Sequence, residues 1–588
     1  MLHDLVVRGG TIVDGRGGEP YAGDVAIDND RITIVGTVDG AGREEIDARG
    51  KLVTPGFVDV HTHYDGQVLW DDRLTPSSIH GVTTVVMGNC AVGFAPCKPD
   101  QRELLIKVMA GVEDIPEPVM ADGLEWNWET FPDYLDVLDK RRCDIDFAAQ
   151  LPHAPLRVYV MGQRGADREP PRLHDLQQMT EIVKQAMQAG ALGVTTSRTL
   201  SHRAVDGQLA PTETGGEAEL LALARGLREA GTGVIQYISD FPGLAVGDTS
   251  DFDIMRRFAA ASGRPLSFTL LQIESQGPQA WRKLLRLIEE ANAGGVKITG
   301  QVAPRPVGLH FGLDLSFNPF SFRRSYRETE HLPLAERVAA LRDPARRARI
   351  LAEPSEHSNP HLIWMTNLVD KMFVVGEAFT YEPPLSERIG ERASRLGVTP
   401  SELAYDDMLG DEGRAILYLP VVNFDDGNLN SSLEMMRHPD TVIALGDGGA
   451  HYGMICDASY PTFTLSHWVR DRDGDRIELA RVVRELTRTP AESVGLFDRG
   501  LLSRGYKADV NVIDFPRLKL RRPEVRYDLP SGARRLYQGA DGYEATIVSG
   551  EITYRGGEPT GRLPGRLIRG AKADPWAAAE NTLRSGVA

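Results

Sequence analysis

Eight short apolar segments, separated by stretches long enough for a helix, constrain the fold of this chain more than any other feature. The segments are residues 57–60, 83–87, 145–151, 192–196, 234–238, 266–271, 296–302 and 442–445. Strands that alternate with helices form parallel βα units, and eight of them predict an α/β fold with a closed (β/α)8 (TIM) barrel over residues 55–500. One helix is predicted over residues 175–188, where apolar side chains repeat at helical spacing and Gly190 follows.

The two ends of the chain have a different sequence pattern, typical of short antiparallel strands. Residues 1–54 and 501–560 contain short β segments broken by Gly and Asp/Asn turns, with a hairpin turn predicted over residues 548–551. We expect the two ends to pair into one small β-sandwich, with an irregular surface tail over residues 561–588. The gap between the seventh and eighth strands, about residues 303–441, is far longer than the usual ~2–6 residues of a βα loop and predicts an insertion. Its helical stretch 323–349 is a candidate lid.

Composition excludes several classes of protein. The net charge is −17 and the Lys and Arg residues are scattered, which argues against a nucleic-acid partner. No apolar run approaches the ~20 residues that span a bilayer, so no membrane partner is expected. Four cysteines in 588 residues are too few for a disulfide framework and predict a cytoplasmic protein: Cys90, Cys97, Cys143 and Cys456. A homo-oligomer is expected only from the general tendency of large acidic barrels to self-associate.

The first apolar strand ends in a His-x-His pair. Alternate residues of a strand share one face, so His61 and His63 are expected to point the same way at the carboxyl end of the strand, the catalytic end of a barrel. Asp447 follows the eighth strand, which neighbours the first in a closed barrel. The three side chains can therefore converge on one metal ion.

Cys90 follows the second strand, on the other side of the first. Its thiolate could reach the same ion, although a lone cysteine is as often a small buried apolar residue. Five further residues in turns or loops near strand ends are candidate substrate-binding groups, for a carboxylate or a developing oxyanion: Tyr64, His153, Arg198, His202 and His451.

Several blocks of this sequence together resemble the amidohydrolase superfamily, and most closely its N-acyl-D-amino-acid deacylase (D-aminoacylase) branch. The blocks are residues 55–63, 88–96, 190–193, 446–448 and 507–510. The resemblance implies a distorted barrel, a β-sandwich made by both termini, a zinc site and hydrolysis of an N-acyl amide. It also implies metal ligation by His61, His63, Cys90 and Asp447, and a substrate or supporting role for His153.

The proposed chemistry is hydrolysis of a carbon–nitrogen amide bond in a small molecule. A bound Zn²⁺ with an open position activates water and polarises a carbonyl. Asp447 is the expected catalytic residue, accepting the proton of the water and returning it to the departing amine.

The sequence departs from the deacylase pattern at strands five and six, which lack the histidines of that branch. One zinc per chain is therefore the expected content. Two alternatives remain open: hydrolysis of a cyclic amide such as a lactam, imide or hydantoin, and a protein that has lost catalysis and only binds a ligand.

Overall fold

Both ends of the chain contribute to one nine-stranded sheet in the computed structural model, which describes residues 2–377, 379–425 and 427–577. The strands are Leu2–Ile12, Tyr21–Asp28, Arg31–Gly36, Ala41–Asp47, Leu52–Pro55, Val510–Ile513, Tyr543–Val548, Glu551–Arg555 and Glu558–Pro559. The two ends meet where Leu52–Pro55 pairs antiparallel with Val510–Ile513. The hairpin predicted over residues 548–551 is confirmed, since Val548 pairs with Glu551 and the two turn residues, Ser549 and Gly550, both have positive φ.

The eight predicted central segments are all strands and run parallel to their neighbours. In chain order, the first to eighth parallel strands are Phe57–Asp59, Val82–Met87, the pair Asp146–Ala149 and Leu151–Pro152, Gly193–Arg198, Val234–Ser239, Leu266–Thr269, Ile298–Val302 and Thr441–Ile443. Each strand lies beside the next one along the chain. The third strand is interrupted at Gln150: its first half pairs with the second strand and its second half with the fourth.

The break in the third strand explains where residues 565–568 lie. The first half of this strand pairs with only one parallel strand, so backbone groups on its other edge are left for another segment. Phe147 N–H donates to the Arg566 carbonyl, and Ile568 N–H donates to the Phe147 carbonyl. Leu567 and Ile568 are buried there. Residues of the predicted surface tail, as far as residue 577, therefore include a segment that joins the core.

Helices connect the parallel strands. They are Gln67–Trp70, Arg102–Glu113, Glu117–Gly123, Phe131–Leu138, His153–Met161, Gln163–Ala166, Leu173–Ala189, Glu217–Ala230, Ser250–Ser262 and Ala280–Ala293, with Tyr460–Phe463, a π-helical segment Thr464–Asp471, Leu479–Leu486 and Arg488–Ser493 after the eighth strand. The helix predicted over 175–188 is confirmed as Leu173–Ala189, and it ends at Gly190, whose φ of 107° suits glycine. Among the described residues, no helix is both long and apolar enough to cross a membrane.

The insertion carries its own small antiparallel sheet of Gly308–Phe311, Phe373–Val374 and Leu417–Pro420. Its helices are Arg324–Arg327, Leu334–Leu341, Pro344–Ala352, Pro360–Asn367, Ile389–Leu396, Pro400–Met408 and Asn430–Arg437. The helical stretch predicted over 323–349 is divided into three short helices. Pro333 directly precedes the second helix and Pro344 begins the third, because proline fits the start of a helix but interrupts its interior.

A two-part β arm leaves the terminal sheet over residues 515–541. Lys519–Leu520 pairs with Ala540–Asp541, and Glu524–Arg526 pairs with Arg535–Tyr537. The arm contacts the insertion through Tyr527, whose hydroxyl donates to Asp314 at 2.6 and 2.7 Å. It also contacts the loop after the eighth strand, where Leu536 N–H donates to the Tyr452 carbonyl at 2.5 Å.

A half-buried carboxylate ties the insertion to the segment after the eighth strand. Glu382 accepts hydrogen bonds from His467 at 2.8 Å, from Arg472 to both oxygens at 3.0 Å, and from Leu429 N–H at 2.8 Å. Burial by itself raises the pKa of Glu382, but these donors outweigh burial and lower the pKa from 4.5 to about 2. The folded protein therefore stabilises the ionised form of Glu382.

We expect Glu382→Gln to lower the free energy of unfolding at pH 7 by about 2 kcal/mol. Because the pKa of the folded state lies below that of the unfolded state, the stabilisation is complete above pH 4.5 and is lost as the pH falls toward 2. Urea unfolding of wild type and variant should therefore show a difference that narrows with falling pH. Glu377→Gln, at a side chain that is 93% exposed, is the matched control and should change little. A difference that stays constant from pH 7 to pH 3 would contradict this account.

Candidate metal centre

The His-x-His pair lies just past the end of the first parallel strand and is held from both sides. Thr62 N–H donates to the Val86 carbonyl on the side of the second strand. On the other side, His63 N–H donates to the Gly448 carbonyl at 2.7 Å, and Asp447 N–H donates to the His61 carbonyl at 3.0 Å. Strand-like pairing thus continues beyond the first strand, so both imidazoles point to the same side. Both residues are 1% exposed.

Asp447 is placed by an irregular segment after the eighth strand. Its φ is 47°, a left-handed conformation that aspartate tolerates better than most residues. The glycine before it is required by packing, since a Cβ on Gly446 would lie 2.0 Å from Asp59 Oδ2. This close passage brings Asp447 beside the histidines of the first strand.

Cys90 is placed by the loop after the second strand. Its φ is 57°, and its N–H donates to Gln236 Oε1 on the fifth strand at 3.3 Å. The Sγ atom lies 3.3 Å from His61 Nε2. The thiol therefore faces the histidine pair.

The four predicted ligands converge. Donor atoms of His61, His63 and Cys90 all lie within 4.8 Å of one another, and this is the one such group of three or more that the described residues form. Asp447 Oδ1 lies 3.4 Å from His61 Nε2 and 3.6 Å from His63 Nε2. Both ring nitrogens of His63 are buried without a hydrogen-bond partner. A buried polar atom without a partner is costly, so this arrangement fits a divalent metal with nitrogen, sulfur and oxygen donors.

Burial and neighbouring charges shift the pKa values of the cluster residues. Burial alone raises the pKa of Asp447, but the neighbouring imidazole rings of His63 and His61 outweigh burial, and the pKa lies well below its usual range. Burial raises the pKa of the Cys90 thiol to about 12, so the thiol needs a bound cation to ionise at neutral pH.

A glutamine that the sequence analysis did not single out supports His61 from behind. Gln301, at the end of the seventh strand, places Oε1 2.7 Å from His61 Nδ1, and its amide nitrogen donates to Ser267 Oγ at 2.9 Å. With this amide orientation His61 carries its proton on Nδ1, so the lone pair of Nε2 faces Cys90 and Asp447. A polar residue at the carboxyl end of a predicted strand was the signal that could have identified Gln301.

Glu113 also lies at the cluster, and no sequence signal indicated it. It is the last residue of the helix Arg102–Glu113 and is 1% exposed. Its Oε1 lies 3.5 Å from His63 Nδ1, and its Oε2 lies 3.5 Å from His451 Nε2. Burial raises the pKa of Glu113 to about 7. Burial lowers the pKa of His63, but the nearby Glu113 carboxylate outweighs burial, and the pKa lies well above its usual value.

Two of the five predicted substrate residues lie beside the cluster. His451 contacts Glu113, and the ring of His202 is close enough to His63, His61 and Asp447 for their charges to affect its pKa. His202 Nδ1 is hydrogen-bonded to Ser197 Oγ at 2.8 Å. Burial lowers the pKa of His202 to about 3 and that of His451 to about 4, so both rings are neutral at neutral pH.

The other three predicted substrate residues are engaged elsewhere. Both ring nitrogens of His153 are bonded, to Thr196 at 2.9 Å and to Glu219 at 2.7 Å. Arg198 donates to Asp251 at 3.2 Å and to the Gly215 carbonyl at 2.6 Å. The hydroxyl of Tyr64 donates to Ser77 Oγ at 2.8 Å and accepts from Ser77 N–H at 3.1 Å. Their contact with a substrate stays a prediction.

Comparison with known proteins identifies the family. A model of the amidohydrolase family matches residues 44–554. The chain belongs to the amidohydrolase family. The resemblance inferred from the sequence blocks is thereby confirmed, and so is the predicted enzyme class, a metal-dependent hydrolase of carbon–nitrogen bonds other than peptide bonds with N-acyl-D-amino-acid deacylases among its relatives.

Two relatives match this amidohydrolase over nearly its whole length. An N-acyl-D-aspartate deacylase of Alcaligenes xylosoxydans is 25% identical over 585 residues, covering 97% of this chain and 96% of that one. An uncharacterised protein of Mycobacterium bovis is 28% identical over 616 residues, covering 96% and 94%.

Solved structures show the same fold. A crystal structure of D-aminoacylase superposes with a TM-score of 0.64 at 21% identity, covering 96% of this chain and 100% of that one. The N-acyl-D-glutamate deacylase of Bordetella bronchiseptica, solved with zinc and a phosphonate inhibitor, gives 0.63 at 21% identity, covering 97% and 100%. The chain therefore has the α/β fold of these deacylases.

Proposed function

We propose that this protein is an N-acyl-D-amino-acid deacylase that holds one zinc ion with His61, His63, Cys90 and Asp447. The observation that carries the proposal is the convergence of these donors: three lie within 4.8 Å of one another, and Asp447 Oδ1 lies within 3.6 Å of both imidazoles. The substrate class comes from relatives that are N-acyl-D-amino-acid deacylases. The N-acyl-D-aspartate deacylase is similar to this chain from end to end.

The fifth, sixth and seventh strands support a single ion. Gln236, on the fifth strand, accepts from the Cys90 N–H, which leaves its amide in a structural role. Ser267, on the sixth strand, accepts from Gln301, whose other end contacts His61. These neutral groups hydrogen-bond to one another or to the first ligand sphere. They orient His61 and Cys90. A second ion on this side of the cluster would need further imidazoles or carboxylates as ligands.

The residues of the chain divide the chemistry among them. A zinc ion with an open position would polarise the amide carbonyl and lower the pKa of water toward ~7. Asp447 starts ionised, because its pKa lies far below neutrality, and can accept a proton from the attacking water. The same carboxyl group then returns the proton to the leaving amine. Neutral His202 and His451 can donate hydrogen bonds to the substrate from the more open side, where Asp447 is 16% and His451 18% exposed.

We extend the proposal to the architecture. The parallel strands form a distorted barrel over residues 55–500, closed where the pairs Asp447–His61 and Gly448–His63 hydrogen-bond between the eighth and first strands. Residues 1–54 and 501–560 form the flanking β-sandwich, and the insertion over 303–441 covers one side of the barrel. Four free, buried cysteines suit a reducing compartment, in keeping with a cytoplasmic protein.

The substrate is tested with purified enzyme and a panel of N-acyl D-amino acids, their L-enantiomers, and cyclic amides. We expect hydrolysis of the D-series with kcat/KM at least about tenfold above the L-series, which corresponds to about 1.4 kcal/mol of discrimination. Cleavage of cyclic amides alone would replace the proposal with the cyclic-amide hydrolase. Tight binding of N-acyl D-amino acids without turnover by zinc-loaded protein would favour a binding protein.

A further inference from the structure

A buried carboxylate at the end of a helix faces two histidines of the site at once. Glu113 is the last residue of Arg102–Glu113, and the helix stops there because Asp114 adopts a left-handed conformation with φ 49°. Its Oε1 has no hydrogen-bond partner and lies 3.5 Å from His63 Nδ1. Burying a carboxylate without a close partner costs free energy of folding. A carboxylate at this point therefore indicates a functional role.

The backbone beside Glu113 holds the segment that carries His451. The Glu113 carbonyl accepts from His451 N–H, while Asp114 Oδ2 accepts from Gly453 N–H at 3.1 Å and from Ser316 Oγ at 2.9 Å. His451 has a φ of 51°, an uncommon conformation for a residue with a side chain, which these contacts maintain. The end of this helix is thus the point where the loop after the eighth strand and the insertion dock together.

The two histidines of the His-x-His pair have different outer partners. His61 Nδ1 contacts the neutral amide of Gln301 at 2.7 Å, whereas His63 Nδ1 faces the carboxylate of Glu113. In both rings Nε2 is the atom that points to Asp447. A carboxylate behind a metal-binding imidazole fixes the proton on the outer nitrogen and makes the inner nitrogen a stronger donor.

We propose that Glu113 is the positioning residue that couples the metal centre to the substrate side of the site. One oxygen sets His63 in the tautomer with Nδ1–H and a free Nε2, and the other holds the ring of His451 toward the substrate. This role rests on the proposed function, because it assumes that His63 binds a metal. It predicts that loss of the negative charge at residue 113 weakens metal binding and disturbs the action of His451 together.

The test uses full-length Glu113→Gln, which keeps the shape of the side chain and removes its charge. We expect the zinc dissociation constant, measured by chelator competition, to rise about 10- to 100-fold. The visible absorption spectrum of the cobalt-loaded protein should shift, and kcat/KM measured at saturating zinc should fall. The control is Glu103→Gln at the exposed start of the same helix, where Glu103 pairs only with Lys107. It should match wild type in all three measurements.

The double variant Glu113→Gln/His451→Gln tests the coupling. If Glu113 acts through His451, the two losses in kcat/KM should be clearly less than multiplicative. The positioning role would be overturned if Glu113→Gln kept zinc affinity and kcat/KM within twofold of wild type and showed an unchanged cobalt spectrum. The deacylase proposal would remain intact. Absence of zinc binding by wild type would instead overturn the proposed function. Should Glu113→Gln fail to fold, Glu113→Asn, which removes the charge and shortens the side chain, decides by the same measurements: unchanged zinc affinity overturns the role.

Discussion

Asp447→Asn is expected to lower kcat/KM by about 10³- to 10⁴-fold while the protein remains folded, since loss of a general acid–base group alone typically costs 10²- to 10⁴-fold. Asparagine matches the shape of aspartate and preserves the backbone contact to His61, but it can neither accept the proton of the attacking water nor bind a cation through an anionic oxygen. The measurement is steady-state hydrolysis of the best panel substrate at saturating zinc, with circular dichroism to establish folding.

Asp440→Asn, in the turn before the eighth strand, is the matched control for Asp447→Asn. Asp440 makes a local contact through its own N–H to His438 and lies at the opposite end of the strand from the cluster. It should retain wild-type activity. Full activity of Asp447→Asn would remove Asp447 from proton transfer, whereas loss of folding in that variant alone would show that its conformation at φ 47° depends on the carboxylate.

Removal of zinc by a chelator is expected to lower kcat/KM about 10³-fold or more, which corresponds to the loss of several kcal/mol of transition-state stabilisation. Activity should recover when zinc is returned. Wild type should contain about one zinc per chain, and Cys90→Ala should contain clearly less, because it removes a donor 3.3 Å from His61 Nε2. The zinc content and the hydrolytic activity of wild type and Cys90→Ala are measured on the same samples.

Cys97→Ala is the control for Cys90→Ala. Cys97 is also a buried cysteine of the same loop, but its thiol donates to the Lys98 carbonyl at 3.3 Å and is not part of the group formed by His61, His63 and Cys90. Equal zinc contents in wild type and both variants would exclude Cys90 as a ligand and leave His61, His63 and Asp447. Zinc-free protein with undiminished hydrolysis would overturn the metal mechanism altogether.

The ligand cluster was open to prediction because each member follows an apolar strand. His61 and His63 alternate along one strand, and Cys90 and Asp447 come directly after the strands on either side of it, so strand adjacency brings them together. Substrate contacts were harder to predict. His153, Arg198 and Tyr64 stand near strand ends in the sequence, and in the fold they hydrogen-bond to Glu219, Asp251 and Ser77, so their contact with a substrate stays a prediction. The position of a polar side chain along a strand does not say which partner it will find.

The sequence by itself predicted the eight parallel strands, the meeting of the two chain ends in one sheet and the proximity of His61, His63, Cys90 and Asp447, because periodicity and chain order can be read along the chain. Only the tertiary structure decided the rest. Glu113 reaches His63 from a helix whose docking depends on contacts with the insertion and with the loop after the eighth strand. Residues 565–568 enter the core only because the third strand is interrupted and leaves an edge to be filled. In both cases the decisive interaction joins segments far apart in the chain, and no local pattern encodes such a distance.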